Sequence, residues 1–163
     1  MAEDISVEER EPKPVVSTRF ECLAETMGDH LETMLPPVYA YIDAQGGEVS
    51  GPPFLRYHAV FDGRFHLELG FPVVEPIEGK AMMECNELPG GPAVVADHTG
   101  PYGELGKTHG KIRNWIRESD WKPAGACWDF YLDDPRDPDS ELEEGGRRTK
   151  VCYPVKKVES DDE

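Results

Sequence analysis

The stretch Phe54-Leu55-Arg56-Tyr57-His58-Ala59-Val60-Phe61-Asp62-Gly63-Arg64-Phe65-His66-Leu67-Glu68-Leu69-Gly70-Phe71-Pro72-Val73 reads as two strands joined by a tight turn. Aromatic and β-branched residues fill Phe54–Phe61 and Phe65–Val73, and Asp62-Gly63 is a dipeptide that accepts positive φ at both central turn positions. Upstream, Val15–Glu25 carries Val, Thr and Phe and reads as another strand. From Asp29 to Gln45, Leu31, Leu35, Val38 and Ile42 recur at helical spacing. Pro36-Pro37 suit a first turn, so the regular helix is expected to begin there, and Gly46-Gly47 to stop it.

The same order then recurs. Met82–Leu88 and Ala93–His98 are β-like, broken by Pro89-Gly90-Gly91-Pro92. Tyr102–Glu118 is helical, with Leu105, Ile112, Trp115 and Ile116 on one side. Ala126–Leu132 and Thr149–Val155 are two more strands, joined by an acidic loop from Asp133-Asp134-Pro135 to Gly145-Gly146. The halves also end alike, in Phe71-Pro72-Val73 and Tyr153-Pro154-Val155. The expectation is an α+β fold: a tandem repeat of a strand–helix–strand–strand unit, over about 14–76 and 77–157, forming a mostly antiparallel sheet with two helices. Residues 1–13 and 158–163 are acidic and poor in core formers, and are expected to be frayed tails.

A single domain fits a chain of 163 residues with 38% hydrophobic residues. The net charge of −16 repels phosphate backbones, disfavours direct nucleic-acid binding and would steer cations inward; solubility alone also explains it. Cys22, Cys85, Cys127 and Cys152 form no C-x-x-C pair, and no His stands at zinc-finger spacing, so free thiols in a reducing cytoplasm and no metal are expected. The sequence has neither a signal-peptide pattern nor an apolar run long enough to span a membrane. Nucleotide, dinucleotide and serine-hydrolase motifs are missing, and no cofactor is expected.

Gly51-Pro52-Pro53-Phe54-Leu55-Arg56-Tyr57-His58 and Glu68-Leu69-Gly70-Phe71-Pro72-Val73 resemble the first-half signatures of GyrI-like proteins. His98-Thr99-Gly100-Pro101-Tyr102-Gly103, Trp128-Asp129-Phe130-Tyr131-Leu132 and Tyr153-Pro154-Val155 resemble the second-half signatures. The ordered set spans the body of the chain. The resemblance implies a ligand groove between the two helices, near the pseudo-twofold axis, that takes bulky, often cationic aromatic molecules. Related effector-binding domains are commonly fused to DNA-binding helix-turn-helix segments, whereas only about a dozen residues precede the first strand here, so a stand-alone domain is expected. Some relatives are hydrolases of cyclopropane-bearing genotoxins, and others are described as gyrase inhibitors.

Asp129 is the first candidate for chemistry. The family usually has Glu at this place, in the groove, and Asp is one methylene shorter. An acid within an apolar strand needs a cation, a hydrogen bond or a raised pKa. Alternation puts Cys127, Asp129 and Tyr131 on one face, so the carboxylate and the Tyr131 phenol could hold a cation or activate a water; a structural carboxylate is the plainer alternative. Glu68 is a possible pocket residue, although His66 and Glu68 alternating with apolar neighbours also suit a solvent face. Tyr57, matched with Asp129 in the repeat register, and Tyr102 are candidate aromatic walls, and Trp115 is a candidate that also suits the core. His98 and His58 are isolated, and a structural hydrogen bond is the expectation for His98. Three functions remain open: a binding protein for lipophilic, cationic aromatic compounds; a hydrolase with Asp129 as general base and Tyr131 as proton donor; and a DNA-mimicking protein that touches gyrase.

Overall fold

A computed structural model describes residues 5–100, 104–132 and 148–158. In chain order the elements are β1 (Ile5–Arg10), β2 (Lys13–Leu23), α1 (Met27–Ala44), β3 (Phe54–Phe61), β4 (Arg64–Pro72), β5 (Glu84–Leu88), β6 (Gly91–Thr99), α2 (Leu105–Arg117), β7 (Trp121–Pro123), β8 (Trp128–Tyr131) and β9 (Arg148–Lys157). The Asp62-Gly63 turn forms as its sequence demands, with φ of 59° and 76°. All pairings are antiparallel, in the order β1-β6-β9-β8-β3-β4-β2-β5, with β7 against β9. This order reads the same from both ends when β2-α1-β3-β4 is matched with β6-α2-β8-β9. β1 and β5 are exchanged: each precedes one unit in the chain and pairs with the other.

That exchange dictates the curvature. β1 lies at one end of the strand order and β2 next to the other end, yet only Glu11-Pro12 joins them, a link that spans roughly 10 Å. Pro89-Gly90 makes the equivalent link from β5 to β6. The sheet must therefore curl until its ends meet, and a Cβ on Gly90 would strike Pro12 and the Arg10 carbonyl. Curling explains why both faces carry a core. On the outer face, Val16, Leu55, Leu67, Leu69, Phe71, Val94 and Val151 pack under the helices. On the inner face, Val15, Phe54, Leu88, Ala93, Val95, Trp128, Phe130 and Cys152 bury one another without a helix. Cations close that inner face: the Arg56 guanidinium lies 5.5 Å from the Trp128 ring, and Arg10 lies 5.5 Å from that of Phe130.

Two expectations need correction. Residues 5–10 are not part of a frayed tail: Ile5–Arg10 pairs with Gly91–Ala96, and its backbone groups complete the edge of β6 despite the acidic side chains. The first helix does not start at Pro36-Pro37; it begins at Met27 and runs through both. The prolines are exposed, so the carbonyls they leave unpaired face water, while Leu31, Leu35, Val38 and Ile42 hold both sides of the break to the sheet. The helix ends as its glycines suggest. Gly46 takes φ 75°, Gly46 N–H donates to the Asp43 carbonyl and Gly47 N–H to that of Ile42. The acidic loop and the extreme ends of the chain lie outside the described residues.

α1 packs on β2 and β4, and α2 on β6, β7 and β9. The central strands β3 and β8 therefore run between the helices. Their pairing sets Leu55 opposite Asp129, flanked by Tyr57 N–H to the Cys127 carbonyl and Tyr131 N–H to the Pro53 carbonyl. The positions that correspond across this axis are thus Leu55 with Asp129 and Tyr57 with Tyr131. The sequence register that matched Tyr57 with Asp129 was two residues out.

Candidate functional site

Asp129 is fully buried at the centre of the sheet, on the face that carries the helices. Burying a carboxylate in an apolar strand is tolerable only with strong donors. Two are present. The Tyr57 hydroxyl donates to Oδ2 at 2.6 Å, and His109 Nε2 meets Oδ1 at 2.9 Å. A β-bulge between Tyr57 and Ala59 shifts the register of β3 beside this contact and aims the phenol. His109 arrives from α2, where Leu105, His109, Ile112 and Ile116 form the buried stripe. Its Nδ1 meets the Tyr153 hydroxyl of β9 at 2.7 Å, and Arg113, at the exposed rim, donates to the same oxygen at 3.2 Å. The Cys127 thiol interacts with both His109 and Tyr153.

Burial opposes charge on His109, but the Asp129 carboxylate, assisted by Cys127, outweighs it and lifts the imidazole to about 9. At neutral pH, His109 is therefore an imidazolium that donates from both nitrogens, and the buried pair is internally neutral. Burial and the neighbouring carboxylate push the Tyr57 phenol well above its usual range. Burial and Cys127 raise Tyr153 as well, against a smaller opposing effect of Arg113.

The fold does not require this polar cluster. The buried stripe of α1 is Leu31, Leu35, Val38 and Ile42, with the same spacing as Leu105, His109, Ile112 and Ile116 on α2. Leu35 thus corresponds to His109. Strand pairing likewise matches Leu55 with Asp129 and Phe71 with Tyr153. Where one half places an acid, an imidazole and a phenol, the other places Leu, Leu and Phe, all at most 2% exposed. A buried ion pair rarely stabilises more than apolar residues of similar volume, so packing alone does not account for it.

Tyr131 shares the outer face and is buried, and Trp115 of α2 packs at the edge of the core. Tyr102 lies outside the described residues. Glu68 is elsewhere. It alternates with Leu67 and Leu69 and so points to the inner face, 1% exposed. Ser17 donates to its Oε2 at 2.6 Å and Asn86 at 3.0 Å, while His58 Nε2 lies 2.7 Å from Oε1. Burial works to raise the Glu68 carboxyl, but these hydrogen bonds prevail and hold it below the usual range. Glu68 is thus a partnered structural acid rather than a lining of the Asp129 cluster. His98 makes the structural bond expected of it, with Nδ1 2.8 Å from Thr108 Oγ1. Among the described residues no cluster of His, Cys, Asp and Glu is arranged to hold a metal ion, and no helix is long and apolar enough to cross a membrane.

His109 and Tyr153 escaped the sequence reading. The signal for His109 was its place on the apolar stripe, four residues after Leu105 and three before Ile112. Tyr153 was visible only as a word in the strand ending.

Comparison with known proteins agrees with the fold. The sequence model of the GyrI-like small molecule binding domain matches residues 3–156. Among curated proteins, none matches the chain in sequence. The fold is similar to the EcmrR C-terminal domain, with a TM-score of 0.83 and 19% identity over 97% of this chain and 100% of that one. In the EcmrR–DNA complex, the chain spans 58% of the EcmrR chain, with 96% of its own length covered at a TM-score of 0.83 and 18% identity. A hydrolase from Listeria innocua is similar over 93% of this chain and 91% of its own, with a TM-score of 0.65 and 12% identity. SAV2435, solved bound to tetraphenylphosphonium, is similar over 94% of each chain, with a TM-score of 0.59 and 12% identity.

Proposed function

The chain belongs to the GyrI-like family of small-molecule-binding domains, and from that premise we propose that it binds lipophilic, cationic aromatic compounds between α1 and α2, over β3 and β8. The observation that carries this reading is the polar cluster in one half against Leu35, Leu55 and Phe71 in the other. It places a buried carboxylate where a cation, His109, is already held 2.9 Å away. Tyr57 stands half-buried beside it, edge-on to the Phe65 ring at 6.5 Å, and supplies an aromatic wall for a flat or bulky cation. SAV2435 offers a parallel on the same fold, since its ligand is a lipophilic aromatic cation. The family's longer acid and this chain's Asp129 then differ in how closely a ligand charge can approach. Sequestration or sensing of such compounds in the cytoplasm is the role this proposal assigns, and the four free thiols accord with that compartment.

Titration of rhodamine 6G fluorescence with the wild-type protein and with Asp129→Asn tests it. A counter-charge role predicts a roughly 100- to 300-fold weaker complex for the variant, as for a unit charge about 5 Å away at an effective dielectric of about 20. Equal affinities would remove Asp129 from the binding site.

A hydrolase remains the second reading, because a carboxylate, an imidazole and two phenols converge. The protonated His109 suits it to the role of general acid, and Tyr57 is the phenol on the carboxylate. Turnover of a cyclopropane-bearing alkylator above the buffer rate, lost in Asp129→Asn, would establish it.

A further inference from the structure

We propose that His109 selects ligands by charge: its proton is an internal cation that a cationic ligand must displace, so binding exchanges one positive charge for another. This rests on the binding reading above and adds a mechanism to it.

The partners of Asp129 form a closed set. Both Asp129 oxygens are occupied, one by the Tyr57 hydroxyl and one by His109 Nε2. The carboxylate is therefore not waiting for a cation; its charge is already balanced. The groups that face His109 are Asp129 from β8, Tyr57 from β3, Tyr153 from β9, Cys127 from the segment before β8, and Arg113 from its own helix. Asp129 is the acidic side chain among them, and Arg113 adds a further positive charge. An incoming aromatic cation thus meets a neutral pair with a positive rim. It gains the attraction of Asp129 only when His109 gives up its proton.

A unit positive charge about 5 Å from the imidazolium, at an effective dielectric of about 20, lowers its pKa by about 2 units. From about 9 in the unliganded protein, that brings His109 to about 7, and most of its proton leaves at pH 7.4. Neutral His109 can still bond Asp129 through one N–H and accept at the other nitrogen, so the geometry survives the loss. A neutral aromatic ligand exerts no such field and leaves the proton in place. The site then favours neutral ligands at low pH and cations at high pH.

Isothermal titration of the full chain with tetraphenylphosphonium, which has no proton of its own, reads this directly. Titration at pH 7.4 in two buffers of different ionisation enthalpy is expected to show about 0.5–0.8 proton released per ligand bound, with affinity rising roughly 30-fold from pH 7 to 9.5. Triphenylphosphine oxide, its neutral counterpart, is expected to release none. Cys127→Ser is expected to keep the release, which separates the imidazole from the thiol, and His109→Gln to abolish both release and pH dependence. Tetraphenylphosphonium binding without proton release, or with a flat pH profile, overturns the exchange and leaves the binding proposal standing. No tetraphenylphosphonium binding at any pH overturns both. Release that persists in His109→Gln assigns the proton to another group and also overturns the exchange.

Discussion

Raising the pH should loosen this protein through one side chain before its tyrosines titrate. His109 holds its proton to about pH 9 in the folded protein because Asp129 faces it, whereas an unfolded histidine loses it near 6.5. The folded state thus binds the proton more tightly. Its contribution is fully present below pH 6.5, where both states are protonated, and is lost as the pH rises through 9. A difference of about 2.5 units is worth about 3 kcal/mol at the plateau, and about 2 kcal/mol of it disappears between pH 7 and pH 9. Urea denaturation followed by tryptophan fluorescence at pH 6, 7, 8 and 9 measures this, and His109→Gln provides the reference. A Cys127→Ser background for both proteins removes the thiol that contacts His109, so their difference isolates the imidazole. The variant should be the less stable at pH 6, and the gap should narrow by about 3 kcal/mol by pH 9. Parallel curves across that range would show that His109 is neutral at pH 7 and that the buried pair is not ionic.

The triple variant Asp129→Leu, His109→Leu, Tyr153→Phe copies the packing of Leu55, Leu35 and Phe71; it should fold, with stability within about 2 kcal/mol of the parent or above it, and should lose rhodamine 6G binding. Glu68→Gln should cost about 1–3 kcal/mol in urea denaturation, because the neutral amide leaves one acceptor oxygen and turns an NH2 donor toward either His58 or Ser17 and Asn86, yet leave dye affinity unchanged. Gly70→Ala drives a Cβ into the Val16 carbonyl and the Ser17 backbone and should destabilise by about 1–3 kcal/mol or more.

The hairpin, both helices and most strands were legible because each obeys a local rule: a two-residue turn, a 3.6-residue stripe, a glycine stop. The exchange of β1 and β5 was not. An acidic strand such as Ser6-Val7-Glu8-Glu9 shows no apolar face in isolation, and only the open edge of β6 orders it. The prolines of α1 misled for the opposite reason, since tertiary packing of Leu31 and Leu35 on one side and Val38 and Ile42 on the other overrides a local break. Asp129 and Tyr57 could be picked out as residues, but not as a bonded pair, because a two-residue slip in the repeat register hid their relation. His109 was passed over because helical spacing says that a residue is buried and does not say what it meets there.

A cation bound by this domain is expected beside Asp129, on the helix-bearing face of β3 and β8. A crystal structure of the rhodamine 6G complex tests this most directly. The dye is expected between α1 and α2, its charge within about 6 Å of the Asp129 carboxylate and a ring against Tyr57. A dye seated on the other face of the sheet, beside Glu68 and His58, would contradict it.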